Sequence, residues 1–299
     1  MPTRTMALDG PLDLPRTVGI HQRGAGDPTM RAVAGRIVRA TRTVDGPATV
    51  ALRQVDGRVE AEAWGPGADR LLESLPAMIG LDDDRSGFEA RHHPLVAGLD
   101  RRQRGIRLGR TGAVIEALVP AILEQKVTGT EAWRGLRGLI RGWGEPAPGP
   151  FGLWLQPPPA VIAAIPYHAL HPIGIERRRA DLIRRVADRA VRYEEILALP
   201  RDAAYARLTA LPGIGPWTAA EVMLRAAGDP DAVSVGDFHL PNLVAFALAG
   251  ESRGTDERML ELLEPWRGQR ARVIRLLETS GLRPPAFGPR YASRSIAAI

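Results

Sequence analysis

Residues 211–217 read Leu-Pro-Gly-Ile-Gly-Pro-Trp, and few backbone paths satisfy that run. Residues 203–211 suit a helix, with Leu208 and Leu211 on one face. Pro212 ends it, because proline has no N–H and clashes with the preceding turn. Gly213 and Gly215 permit positive φ and leave no side chain over the neighbouring amides. Pro216 fits the first turn of a following helix, where its missing N–H costs nothing. The expectation is helix, tight hairpin, helix, with free N–H groups at a helix N-terminus. Such an end accepts a phosphate, because donors and dipole point the same way, and it reads no base sequence. A plain helical hairpin with a glycine-rich turn meets the same spacing.

Downstream, residues 217–227 form an amphipathic run that predicts a helix. Gly228, Asp229 and Pro230 make a loop, and Ala232 to Val235 is β-rich. Gly236-Asp237-Phe238 precedes another helix, expected from His239 to Leu248, with Pro241 in its first turn and Gly250 closing it. Asp237 stands at a cap-like position, where a carboxylate is also kept ionised. Thr255 predicts a cap for a helix over 256–263, and Pro265-Trp266-Arg267 is expected to open a last long helix ending at Ser280-Gly281.

Upstream, residues 1 to about 90 look β-rich. Runs at 35–43, 48–55 and 58–64 are separated by Asp45-Gly46 and Asp56-Gly57, the dipeptides of tight hairpins. They predict an antiparallel meander, with a helix over 67–79 covering one face. Asp82-Asp83-Asp84 suggests a solvated loop rather than a metal site. Residues 91–110 are Arg-dense and read as a connector. Residues 112–142 are helical in pattern, with Pro120 at a bend or second helix start. Residues 146–159 form a Pro/Gly-rich loop, and 176–192 one long basic amphipathic helix.

The chain has 299 residues, no cysteine and a formal net charge of +6. Lys126 is its one lysine, so 39 of the 40 basic residues (40 − 1) are arginine. A basic balance fits a polyanionic partner. Without cysteine there is no disulfide, thiolate metal site, iron–sulfur cluster or cysteine nucleophile. No run suggests a signal peptide or membrane span, and a cytoplasmic, nucleoid-associated monomer is expected.

Leu211 to Gly215, followed by Asp237 twenty residues past Trp217, resembles the helix-hairpin-helix DNA glycosylase superfamily, and within it the bacterial 3-methyladenine DNA glycosylase II group. The resemblance extends to Ala121-Ile122-Leu123-Glu124-Gln125-Lys126-Val127-Thr128 and to Pro265-Trp266-Arg267. It implies an α+β fold: a mostly α-helical core over 111–285 (hairpin 211–217), an N-terminal antiparallel-sheet domain and connector over 1–110, and a tail over 286–299. The implied partner is double-stranded DNA with a damaged base, flipped into a pocket. The implied activity is hydrolysis of the N-glycosidic bond in base excision repair, with Asp237 as the catalytic carboxylate stabilising an oxocarbenium-like sugar.

By the same resemblance Trp217, Glu221, Phe238 and Trp266 line the base pocket, and Gly213, Ile214, Gly215, Thr218, Gln125 and Lys126 bind DNA. No cofactor is required. A monovalent cation is implied at the carbonyls of Thr209, Leu211 and Ile214. Members that also cleave the strand use a lysine at the position of Trp217 to form a Schiff base, so this chain is expected to lack lyase activity. Trp217 offers a π surface to electron-poor, often cationic, alkylated purines.

The chain departs from the group twice. Lys126 stands where an apolar wedge is usual, and it can contact phosphate or sit as an ordinary exposed helix residue. Glu221 stands where an aromatic is usual, and it can face a cationic base or pair with Arg225. Trp266 can wall the pocket or pack in the core. Two other readings are a same-fold glycosylase for other purine lesions and a non-catalytic helix-hairpin-helix protein that binds damaged DNA.

Overall fold

A computed structural model describes residues 1–285; the tail expected over 286–299 lies outside the described residues. Five strands form one antiparallel sheet: β1 (Thr3–Ala7), β2 (Met30–Val33), β3 (Arg36–Thr43), β4 (Gly46–Val55) and β5 (Arg58–Trp64), in the order β1-β5-β4-β3-β2. The β4–β5 hairpin closes with Val55 opposite Arg58, and its loop residues Asp56 (φ 46°) and Gly57 (φ 73°) are both left-handed. Two positive φ values in a two-residue loop match the right-handed twist of the strands, which is why Asp-Gly marks such a turn. The β2–β3 hairpin repeats the device with Ala34 (φ 48°) and Gly35 (φ 72°). β1 and β2, absent from the sequence reading, are its two edges.

One sheet face, with Val50, Leu52, Val59 and Ala61, buries against α2 (Ala68–Met78) and against Leu14 and Val18 of α1 (Leu14–Val18). The other face sets Val38, Ala40 and Ala51 against Leu153 and Leu155, which follow the Pro/Gly-rich stretch. A two-strand ladder, β6 (Glu145–Pro146) with β7 (Trp154–Leu155), closes that stretch.

Among the described residues the helical part has two large cores, besides a minor cluster of Leu108, Ala220, Leu224, Ala232 and Ala271. The larger gathers α4 (Val114–Leu123), α5 (Gly129–Trp143), α6 (Pro159–Ala164), α7 (Tyr167–Leu170), α8 (Arg177–Asp188), α9 (Ala190–Glu194), α10 (Arg201–Thr209) and α11 (Pro216–Val222). The smaller packs α3 (Pro94–Arg102), from the Arg-dense connector, with α12 (Leu240–Ala249), α13 (Asp256–Leu263) and α14 (Arg270–Glu278).

Several boundaries differ from the sequence reading. The helical pattern over 112–142 breaks at Gln125–Thr128, not at Pro120, which lies inside α4. Thr128 and Glu131 then form a reciprocal capping box that starts α5. The basic run over 176–192 breaks at Arg189. After α11 the chain widens into a π turn, Met223–Ala227, ended by Gly228 at φ 68°. Ala232 to Ser234 is buried but pairs with no strand, so its apolar residues serve packing rather than a ladder.

Pro265 and Trp266 sit in a separate 3-10 turn, and α14 starts only at Arg270. The reason is local: Gly268 is left-handed (φ 89°), and Asp231 Oδ1 accepts from the amides of Gly268 (2.9 Å) and Arg270 (3.2 Å). Asp83 is likewise no solvated loop residue. Its carboxylate takes a bidentate pair from Arg272 (2.6 and 2.8 Å) and the Leu108 amide (3.0 Å).

Sheet and helices meet at a polar seam. Arg39 and Thr41 of β3 both reach Glu116 of α4 at 2.8 Å. Beside them lies a cavity of about 40 Å3 lined in part by His21, Arg39, Glu116 and Arg225. His21 Nε2 is buried there without a hydrogen-bond partner among the described residues. Burial first, then Arg39, Arg225, Arg23 and Arg275, hold the His21 pKa well below 6.5.

An imidazole neutral in the folded state and protonated in the unfolded one withdraws stability as pH falls below 6.5, until the depressed folded-state pKa is reached. We expect the wild type to lose stability between pH 7 and pH 5 more steeply than His21→Gln, by up to about 1.4 kcal/mol per pH unit. Urea midpoints at the two pH values measure the difference; parallel losses would remove His21 as the cause.

Candidate active site at the hairpin

α10 and α11 flank the hairpin. Gly213 turns it at φ 109°, and a Cβ there would come within 3.0 Å of Leu182 on α8. Ile214 donates back to the Leu211 carbonyl (3.0 Å), and the Ile214 side chain is buried. The amides of exposed Gly213 and half-buried Gly215 donate to nothing among the described residues. They border the N-terminus of α11, where Pro216 takes the first position.

The turn between α4 and α5 is tied to this hairpin through one amide. Gln125 Nε2 donates to the Gly213 carbonyl (3.0 Å) and to Thr218 Oγ1 (2.8 Å). Thr218 is therefore buried and bonded to Gln125 rather than open to a ligand. Lys126, next in the chain, is exposed at φ 54°, outside regular helix. A non-glycine residue in the left-handed region stores strain of order 1–3 kcal/mol, which surrounding contacts must hold. Glu124 supplies them from the other side: it takes Arg23 Nη1 on both oxygens (2.9 and 2.7 Å) and Trp133 Nε1 at 3.2 Å. Trp133 in turn lies under Gly24, where a Cβ would meet its ring at 2.5 Å.

Asp237 is held from two directions. Oδ1 accepts from the amides of His239 (2.8 Å) and Leu240 (2.9 Å), and so caps α12. Oδ2 accepts Trp217 Nε1 from α11 at 3.0 Å. The indole is half-buried and its carboxylate partner partly open. The carboxylate thus has both oxygens fixed yet keeps lone pairs toward solvent.

The remaining expected pocket residues are placed differently. Of the two alternatives for Glu221, the structure has the pair with Arg225. Glu221 is enclosed by Arg225 Nη1 (2.5 Å) and Ser234 Oγ (2.7 Å). Burial pushes its carboxyl up, but Arg225 and Arg23 outweigh that and hold it below the usual range. Trp266 is 3% exposed, packs with Met259 and Leu263, and donates to the Glu89 carbonyl (2.9 Å). It is a core residue rather than a wall of open space. Phe238 is 72% exposed and stands edge-on to the His239 ring at 4.9 Å. The carbonyls of Thr209, Leu211 and Ile214 lie around the hairpin, that of Leu211 already accepting one bond.

Arg23, Trp133 and the bracing role of Glu124 were not visible in the sequence. Arg23 lies 101 residues from Glu124, in a loop without periodicity.

No protein-family model matches the chain. A solved 3-methyladenine DNA glycosylase from Archaeoglobus fulgidus superposes with a TM-score of 0.79 at 20% identity, covering 92% of this chain and 97% of that one. The fold is that of the helix-hairpin-helix DNA glycosylases. In sequence the chain is similar to a DNA-3-methyladenine glycosylase of Bacillus subtilis (strain 168), 23% identical over 206 residues, or 67% of this chain and 68% of the relative. It is also 32% identical over 139 residues, 46% of this chain, to a Mycobacterium tuberculosis protein named for a bifunctional transcriptional activator/DNA repair enzyme AlkA, of which it covers 28%. The chain spans 54% or less of the length of several curated relatives that it matches.

The brace that holds the strained Gln125–Lys126 turn can be tested by stability. Arg23→Ala leaves Glu124 largely buried without its cation, and should cost about 3 kcal/mol. Arg23→Ala with Glu124→Ala should cost less than the sum of the two single changes. Additive losses in a urea double-mutant cycle would show that the pair is not coupled.

Proposed function

We propose that the protein is a monofunctional DNA glycosylase that flips alkylated purines of the 3-methyladenine type out of duplex DNA and hydrolyses their N-glycosidic bond in base excision repair. The observation that carries this reading is the Trp217–Asp237 contact: a carboxylate and an indole from separate elements, fixed to each other beside a hairpin with free amides. The similarity to proteins named as 3-methyladenine glycosylases supports the substrate class.

In this reading the hairpin amides of Gly213 and Gly215 and the dipole of α11 hold a backbone phosphate. Lys126, pre-set in its strained turn, meets the space vacated by the flipped nucleotide, its stem against bases and its ammonium toward phosphate. The extruded purine stacks on Trp217, whose π face favours a cationic ring. As the bond from C1′ to the base breaks, the electron pair leaves with the base, and a cationic alkylated purine departs neutral. Asp237 opposes the positive charge developing on the sugar and orients a water; the water oxygen bonds to C1′ and its proton is lost. With an indole at position 217 there is no amine for a Schiff base there, so the abasic strand is left uncut.

A monovalent cation is part of the proposal. Its donors would be backbone carbonyls of Thr209, Leu211 and Ile214, neutral oxygens that suit a weakly charged hard ion. When bound it would supply a positive charge to a DNA phosphate at the hairpin.

Base release from methylated duplex DNA tests the reading. The wild type should release 3-methyladenine or 7-methylguanine and leave abasic sites that break only on alkaline treatment. Asp237→Asn keeps an oxygen for the α12 amides but removes the charge, and should slow release on the order of a hundredfold or more. Equal release by both proteins would end the role of Asp237. Release of oxidised or deaminated purines alone would move the substrate class, and DNA binding without any release would favour a binding protein.

A further inference from the structure

Five arginines along α8 and its C-cap divide into two sets, while a sixth, Arg179, is buried and donates to the Leu123 carbonyl. Arg177 and Arg184 lie on one margin and flank Asp181, at 3.8 and 3.7 Å. Asp188 shares that margin by helical spacing. Arg178, Arg185 and Arg189 lie on the other margin, at i, i+7 and i+11 around Leu182. All three are exposed, and none has a carboxylate within ion-pair distance among the described residues. In a chain whose arginines are mostly paired with acids, three consecutive members of one row are not.

That row borders the hairpin. Leu182, at its centre, is the side chain that a Cβ on Gly213 would meet at 3.0 Å. Arg185 Nη2 donates to the Pro212 carbonyl at 3.1 Å, which lays its guanidinium against the turn and leaves its other N–H groups free. The row continues from the unpartnered amides of Gly213 and Gly215 along the edge of α8 to Arg189, the residue at which that helix ends. At 1.5 Å per residue, 178 to 189 spans roughly 16 Å, the axial length of about four or five phosphates on one strand.

We propose that Arg178, Arg185 and Arg189 form a second DNA-backbone site that extends the hairpin's phosphate contact along the same strand. Its ligand is the duplex flank, independent of sequence and of damage. The assignment rests on the reading of the protein as a DNA glycosylase, but its test uses undamaged DNA and is read without catalysis.

The experiment is the salt dependence of binding to an undamaged duplex. Three phosphate contacts contribute a slope of about −2.7 in log K against log salt. From 50 to 200 mM salt the wild type should therefore lose about 40-fold more affinity than Arg178→Gln/Arg185→Gln/Arg189→Gln. Arg177→Gln/Arg184→Gln removes two charges from the opposite margin and should keep the wild-type slope. If the loss of Arg185 from the Pro212 carbonyl unfolds the triple variant, Arg178→Gln/Arg189→Gln still removes about two thirds of the slope, or roughly 12-fold over the same salt range. Equal slopes for the hairpin-side variants and the wild type, or an equal fall in the opposite-margin variant, would overturn the proposal. Excision of damaged bases by a wild type whose slope the row does not affect would overturn the site and leave the glycosylase reading standing. A slope carried by the row in a protein that excises nothing would do the reverse.

Discussion

The Gln125 side-chain amide is the contact on which the candidate site depends. It donates to both the Gly213 carbonyl and Thr218 Oγ1, so it joins the α4–α5 turn to the hairpin at the residue after Trp217. Trp217 passes the constraint to Asp237 through its indole N–H, and Asp237 passes it to α12 through two backbone amides. A turn, a hairpin and a helix N-terminus are thus placed by five hydrogen bonds. Each link uses a group with no freedom to choose another partner: an amide, an indole, a capping carboxylate. Preorganisation of this type places a charge before the reaction creates its counterpart, which is where electrostatic catalysis gains most.

The hairpin and its carboxylate were legible in the sequence because they rest on local rules. Proline and glycine dictate the turn, and a cap-like aspartate announces the helix after it. Asp56-Gly57 likewise marked a strand hairpin, whereas Ala34-Gly35 did the same job unannounced, since alanine gives no sign of adopting φ 48°. What could not be read was pairing over distance. Asp83 looked like a solvated loop residue until Arg272, 189 positions away, closed on it. Glu221 was open between a base and Arg225 because a four-residue helical spacing permits either; the structure turns it to Arg225 and Ser234. Trp266 satisfied a pocket motif, yet packing inside the C-terminal helices took it.

The use of arginine explains how a basic chain can keep an ordered interior. Buried or half-buried carboxylates at 83, 116, 124, 221 and 231 each meet a guanidinium. A planar fork satisfies two oxygens at once, where an ammonium would leave one unpaired. Such pairs add little net stability against apolar alternatives, but breaking one leaves a charge stranded. They therefore act here as registers that fix how the sheet, the α4–α5 turn and α14 sit against the rest.

That pairing has a consequence for the surface. Where an arginine meets a carboxylate inside, its charge is spent locally and projects little field. The excess of +6 must then be expressed by side chains without acidic neighbours, and Arg178, Arg185 and Arg189 are three of them beside the hairpin. Lys126 is another exposed cation, held by a strained backbone and without a carboxylate at ion-pair distance among the described residues. A polyanion approaching the molecule would meet these free charges first, and its phosphates would be guided toward the amides of Gly213 and Gly215. Arginine in the seams and unpaired cations at the hairpin thus follow from one physical rule: a buried charge needs a partner, and an exposed one is available to a ligand.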